Sequence, residues 1–264
     1  MIKYVSVLLF ISFSLGAQAQ VKSPKYHVGP KVGFNVYKSR FEFKEDENLY
    51  DQSINAGYQL GMMLDLPLKK SMFHFYGDVY YSRKGKKTKI VDTGLSNNAT
   101  YHFIEAPIML RMSFIGGSSE AGMFKWHVDI GPSLSYWLGG KGVLFADGPE
   151  NAYKVMFGLP PVNSSEFDKM YISNANRMQW GLMLGAGIDY PVIKKQLVFI
   201  DFRVGLGSTN LAEFDGEANL PILGFSESLD VRYLEFMFSV AYAFEIDWIQ
   251  TLKGKSTVTK KKRR

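Results

Sequence analysis

The sequence predicts an all-β fold: a closed antiparallel transmembrane β-barrel of about eight strands, with short periplasmic turns and long extracellular loops. Three observations predict it. Strand-length stretches alternate apolar and polar residues, the period-2 signature of a barrel wall. Bulky apolar groups fill one alternate set, while glycines and charges fill the other. The segments between the stretches alternate short and long, as when turns lie on one side of a membrane and loops on the other.

Residues 1–19 read as a secretory signal peptide. Lys3 supplies the positive start, an apolar run follows from Tyr4 to about Leu15, and Ala17-Gln18-Ala19 has the small–x–small form of a cleavage site. A membrane anchor is the other reading, and the short apolar run counts against it. The barrel is expected over 20–247, and a basic tail over 248–264, on the periplasmic side if the strand count is even. The chain has no cysteine, which excludes a lipid-anchored lipoprotein and a disulfide scaffold. Aromatics make up 15% of it, suiting a lipid-facing wall with interfacial girdles.

Each strand follows from its own alternation. The first, 26–37, sets Val28, Val32, Phe34 and Val36 against Gly29, Lys31, Gly33 and Asn35. The second, 55–66, sets Tyr58, Leu60, Met62 and Leu64 against Gly57, Gln59, Gly61 and Asp65. In the third, 72–83, Phe73, Phe75, Val79 and Tyr81 oppose His74, Tyr76, Asp78 and Tyr80. In the fourth, 100–114, Ile104, Ile108 and Leu110 oppose Tyr101, Glu105 and Arg111. The fifth, 123–138, places Trp126, Val128 and Ile130 against His127, Asp129 and Ser133. The sixth, 178–190, pairs Trp180, Leu182 and Leu184 with Gly181, Gly185, Gly187 and Asp189 on alternate faces. The seventh, 197–207, does the same with Val198, Ile200, Phe202 and Val204 against Asp201, Arg203 and Gly205. The eighth, 232–246, is the clearest: Leu234, Phe236, Phe238, Val240, Tyr242 and Phe244 face away from Glu235, Met237, Ser239, Ala241, Ala243 and Glu245. Short turns are expected at 67–71, 115–122 and 191–196, and long loops near 38–54, 84–99, 139–177 and 208–229.

The same alternation turned inside out describes a secreted soluble barrel that binds a small ligand. The placement of bulk decides for the membrane. A narrow barrel has little room inside and unlimited lipid outside, so the aromatics belong outside and the glycines inside. The polar set also carries both signs of charge, which can pair within one lumen. Lys31, Asp78, Glu105, Arg111, Asp129, Asp201, Arg203 and Glu235 are therefore expected as a lumen charge network, with bulky Tyr76, Tyr80, Tyr101, Phe103 and Trp137 plugging the bore. A narrow porin-like channel for small solutes is the alternative use of such a lumen.

The formal net charge of +6 is misleading. The tail from 251 onward holds seven of the 31 basic residues and the signal one, which leaves a body with 23 basic against 25 acidic residues. A basic run often signals nucleic acid, but an exported barrel meets none, so no nucleic-acid partner is expected. Lys260, Lys261, Lys262, Arg263 and Arg264 form a possible partner-binding tail, drawn to anionic lipid or to an acidic periplasmic protein. The long loop 139–177 carries Tyr153, Met156, Phe157 and Leu159, enough apolar surface to fold over the mouth or to meet a partner. Gly139-Gly140-Lys141-Gly142 reads as its flexible start.

No catalytic, cofactor or metal site is expected. His27, His74 and His127 fall on the lumen set or near an end. His102 faces outward, without a serine or acid within two positions on its face, so neither a Ser–His–acid nor a His–acid site forms. Asp147, Glu150, Glu166 and Asp168 match no calcium-loop spacing.

Three runs carry a family likeness: Tyr101-His102-Phe103-Ile104-Glu105-Ala106-Pro107-Ile108-Met109-Leu110-Arg111, Tyr80-Tyr81-Ser82-Arg83-Lys84-Gly85, and the glycine-rich run Gly181 to Tyr190. In them the chain resembles the PorT-like small outer-membrane barrels of Bacteroidota. The last strand is similar to a barrel-assembly signal, with Tyr242 and Phe244 at the aromatic positions and Ser239 where glycine is usual. The resemblance implies an outer-membrane address, contact with outer-membrane lipid, and recognition of the C-terminal strand by the barrel-assembly machinery. Some members of the family support type IX protein secretion. The expected function is thus a non-enzymatic one exerted by protein–protein contact, with secretion-machinery proteins as possible partners.

Overall fold

The computed structural model describes residues 25–41, 50–68, 72–90, 95–119, 122–145, 150–161, 168–193, 195–213, 217–220 and 225–246. The expected signal peptide, the tail residues Lys260 to Arg264, and Asp147 and Glu166 lie outside them.

Eight long strands form the wall: β1 (Tyr26–Phe41), β3 (Asn55–Pro67), β4 (Phe73–Ile90), β5 (Ser96–Ser119), β6 (Gly122–Phe145), β9 (Met178–Ile193), β10 (Gln196–Gly207) and β13 (Val231–Ile246). Each pairs antiparallel with its neighbour in sequence. The ring closes where β1 meets β13, with Val28 opposite Phe244 and Phe41 opposite Val231. Closure leaves no open edge in the membrane, where an unpaired backbone would find no water.

The expected parity holds around the ring. Val32, Phe34, Leu60, Val79, Ile108, Ile130, Trp180, Phe202 and Phe238 are exposed on the outer surface, Leu60 at 61% and Ile108 at 58%. Such an apolar girdle on eight strands is a lipid-facing surface. Opposite them, Lys31, Asp78, Arg111, Asp129, Asp201 and Arg203 are buried.

The expected long loops are corrected in three places. Strands β4 and β5 run on through 84–90 and 96–99 as a tall hairpin above the girdle. The Gly139–Gly142 stretch lies inside β6 and is not a loop start. At Gly139 the pairing with β5 skips Leu138, a bulge at which Gly139 takes a φ of 149° that a Cβ would strain. The bulge turns even-numbered residues of β6 from outward to inward. Above it the strand leaves β9 and pairs with β7 (Asn151–Phe157). Third, the segments 139–177 and 208–229 contribute β7, β8 (Lys169–Ile172), β11 (Glu217–Leu220) and β12 (Phe225–Ser228), joined in the order β6-β7-β8-β11-β12. Strands β7 and β8 are parallel. A further short strand, β2 (Tyr50–Gln52), pairs with the top of β4.

This upper sheet curls over the mouth with its apolar residues turned inward. Tyr37, Tyr101, Phe103, Trp137, Leu144, Tyr153, Val155, Met170, Ile172, Leu220, Phe225 and Tyr233 form one buried cluster there. The polarity of the wall therefore inverts with height: apolar outside in the membrane, apolar inside above it.

Candidate functional site

The lumen is the place where the sequence concentrates its buried charge. It is filled in tiers. At the periplasmic end Asp65 is flanked by His74 at 2.9 Å and His27 at 3.3 Å. The main tier lies above. Arg111 is fully buried and reaches Asp129 and Asp201, each at 2.8 Å, and Asp189 at 3.6 Å, with its guanidinium 3.7 Å from the Tyr76 ring centre. Arg203 meets Asp78 at 2.5 Å and Asp201 at 3.3 Å. Lys31 meets Asp78 at 2.6 Å, and His127 lies between Asp189 and Asp201 at 2.8 and 2.9 Å.

The next tier is separate. Lys84 joins Glu105 at 3.0 Å to Glu235 at 2.7 Å, and Asn35 donates to Glu235 at 2.7 Å. The expected single network is thus two. Lys31, Asp78, Arg111, Asp129, Asp201 and Arg203 belong to the lower one. Glu105 and Glu235 belong to the upper one, together with Lys84. Glu105 and Arg111 share strand β5 but stand six residues apart, about 20 Å along a strand. Lys84 was not among the expected network residues, because its stretch reads as a loop. His127, Asp65 and Asp189 complete the lower tiers, and the polar parity of their strands already put them in the lumen.

Glycines make room for this packing. Gly185 lies in register between Asp129 and Arg203, and an added Cβ there would stand 1.9 Å from Asp129 Oδ1 and 2.9 Å from Arg203 Cγ. Gly185→Ala is expected to destabilise the barrel by about 1–3 kcal/mol, because neither partner can move without giving up an ion pair. Denaturant titration of the refolded variant in lipid vesicles measures it.

Above the ionic tiers the aromatic cap closes the bore. Trp137 packs against Tyr101, Phe103 and Phe157, with ring centres 4.8, 5.9 and 5.1 Å away. A polar clasp crowns it. Glu227 takes Lys86 at 2.5 Å, Thr88 at 2.7 Å and Asn97 at 2.9 Å, and Tyr153 donates to Asn97 at 2.6 Å. Burial, with the Glu227 charge adding, holds the Tyr153 phenol above its ordinary pKa, so it remains a donor.

Among the described residues one group has metal-ligand spacing: His127, Asp129 and Asp201. Both carboxylates already accept the Arg111 guanidinium, so a cation occupies the position a metal would need. His102 faces outward with Arg83 and Gly139 as its register neighbours, and its polar partner is the Tyr81 hydroxyl. Glu150 and Asp168 are exposed and separate from any such cluster among the described residues.

Comparison with known proteins agrees with this architecture. No curated relative matches the sequence. Among solved structures, the outer membrane protein OprG from Pseudomonas aeruginosa superposes with a TM-score of 0.50 at 11% identity, over 85% of this chain and 97% of that one. Neisserial surface protein A matches over 84% and 97% at 12% identity, with a TM-score of 0.38. At 11% identity the likeness to OprG concerns the fold alone. The family model of the outer membrane protein beta-barrel domain matches residues 18–212, which takes in seven of the eight wall strands, and with the girdle it places the protein in the outer membrane. The chain is a member of the outer membrane protein beta-barrel domain family.

Proposed function

We propose that this protein is a non-enzymatic outer-membrane protein that acts by protein–protein contact, as a PorT-like accessory of type IX protein secretion. The filled lumen carries this reading. Two ionic tiers and an aromatic cap occupy the bore, while the chain invests its extracellular segments in a folded sheet with an exposed outer face. That face presents Met156 and, beyond it, Leu159 at 79% exposure beside Pro160 and Pro161, an apolar tip suited to a partner. The tail Lys260–Arg264 is the proposed second contact surface, on the periplasmic side. Outer-membrane lipid and the barrel-assembly machinery, reading Tyr242 and Phe244 on β13, are the other partners of this proposal. The lack of a serine or acid beside His102 on the register supports the non-enzymatic part.

Two experiments test it. A tagged protein extracted from its native envelope is expected to co-purify secretion-machinery components, and a chain lacking 248–264 to lose the periplasmic ones. A solitary barrel counts against the accessory role. In planar bilayers the wild-type protein is expected to be silent. A steady conductance altered by Glu105→Gln would instead favour a solute channel.

A further inference from the structure

We propose that the outer surface of β4–β7, just above the lipid girdle, binds the phosphate of an outer-leaflet glycolipid. This gives a site to the outer-membrane lipid contact proposed above and stands independently of the secretion role.

The register is the first observation. A single cross-strand row runs Gly85, Thr100, Lys141, Lys154, Lys169 over β4, β5, β6, β7 and β8. Paired residues share a face of the sheet, so three consecutive strands present lysines side by side. Like charges directly opposite each other are destabilising, and a bound anion removes that repulsion. Arg83 adds a guanidinium, 3.4 Å from the Thr100 hydroxyl. Lys141, Lys154 and Arg83 are all exposed, and none of them forms an ion pair among the described residues.

The second observation is a hollow at this place. A cavity of about 530 Å³ is lined by Arg83, Asn98, Thr100, Lys141, Lys154 and Asp168, among others. Three cations face one carboxylate, with an amide and a hydroxyl as further donors. A guanidinium fork with lysines beside it is the usual composition of a phosphate site.

The third is depth. Arg83 is the next outward residue after Tyr81 on β4. Thr100 follows Ile104 and His102 on β5, and Lys141 follows Leu138 and Gly139 on β6. The hollow therefore begins about 7–13 Å beyond the last apolar side chains, at the level of lipid headgroups. Below it Val79, Ile104, Leu134 and Leu138 are exposed. An amphiphile can lay its acyl chains on these residues and its phosphate in the hollow, a shape that free phosphate lacks.

The test uses the full folded protein in detergent micelles, with bisphosphorylated lipid A, its dephosphorylated counterpart and inorganic phosphate as probes, and retention read by native mass spectrometry. Wild type is expected to retain the bisphosphorylated form. Each surface cation contributes about 5-fold, so R83Q/K141Q/K154Q is expected to weaken binding about 100-fold. K38Q/R40Q, exposed at the outer end of β1 and outside the hollow, is expected to change it only a few-fold. These side chains face out, and heat-modifiable gel migration reports that the barrel is folded. Should the triple variant unfold, the single K154Q carries the test with its about 5-fold loss. Equal retention by the triple variant, or equal retention of the dephosphorylated lipid, overturns the proposal. Inorganic phosphate competing as well as the lipid overturns the lipid as its source.

Discussion

Arg111→Met is expected to lower the stability of the folded barrel by about 3–5 kcal/mol, measured by urea titration of tryptophan fluorescence in phosphatidylcholine vesicles. The wild-type side chain has no exposure and neutralises Asp129 and Asp201 directly, with Asp189 beyond them. Methionine keeps much of the volume over Tyr76 but leaves those carboxylates short of a cation. Arg203 also reaches Asp201 at 3.3 Å and Asp129 at 3.8 Å, and Lys31 reaches Asp201 at 3.7 Å. Asp78 holds both at shorter range, so these two cations are left to face Asp78, Asp129, Asp189 and Asp201. Breaking a buried pair from one side costs this much because the remaining charge is stranded, not because the pair itself contributed as much. The two origins separate in the triple variant R111M/D129N/D201N. Removing the stranded charges with the guanidinium is expected to recover most of the loss. A single variant as stable as wild type would show that the lumen tolerates net charge, through water entering the bore, and would weaken the case for a plugged barrel.

The membrane part of the fold was legible because lipid enforces one rule on it. Outward positions at the level of the lipid girdle had to be apolar, so strand parity could be read directly. The residues facing the lumen followed as the other set. Pairing within that set was less legible. Arg111 and Asp129 sit opposite each other on adjacent strands, but Asp201 reaches Arg111 from β10 across the bore, a contact set by the stagger of the closed ring. Sequence spacing carries no record of that stagger, and so Glu105 and Arg111 were expected in one network though they stand in two.

The upper sheet was hidden for a different reason. Above the girdle both faces of a strand can be polar. Lys87 and Lys89 point out while Lys86 and Thr88 point in, and no period survives in Lys84 to Ile90. In β7 a period does survive, with Tyr153 and Val155 inward and Lys154 and Met156 outward. Its sense is reversed, because the apolar side of this sheet faces protein. The bulge at Leu138 and Gly139 shifts the parity of β6 at the same height, so a reading that carries the membrane rule upward places every later residue on the wrong face. Asn97, Lys86 and Glu227, which clasp the cap, all fell in segments taken for loops.

That reversal makes the cap a separable unit, and Trp137→Ala is expected to melt it while leaving the membrane barrel closed. Trp137 has no exposure, and its indole donates to the Gly139 carbonyl at 3.0 Å. It joins β5 residues Tyr101 and Phe103 to Phe157 of β7. Truncation removes the common partner of all three rings and is expected to cost about 3–5 kcal/mol. That cost falls on β7, β8, β11 and β12, which pair with each other and with the top of β6, whereas the eight wall strands keep the hydrogen bonds of a closed ring. Protease added to intact vesicles is then expected to cleave within 139–177 and 208–229 of the variant but not of the wild type, with heat-modifiable migration of the trimmed barrel preserved. If the variant cap stayed protected, the Glu227 clasp to Lys86, Thr88 and Asn97 would be its principal tie. Glu227→Gln would then expose the same segments, since a neutral amide gives up the charge that Lys86 meets at 2.5 Å.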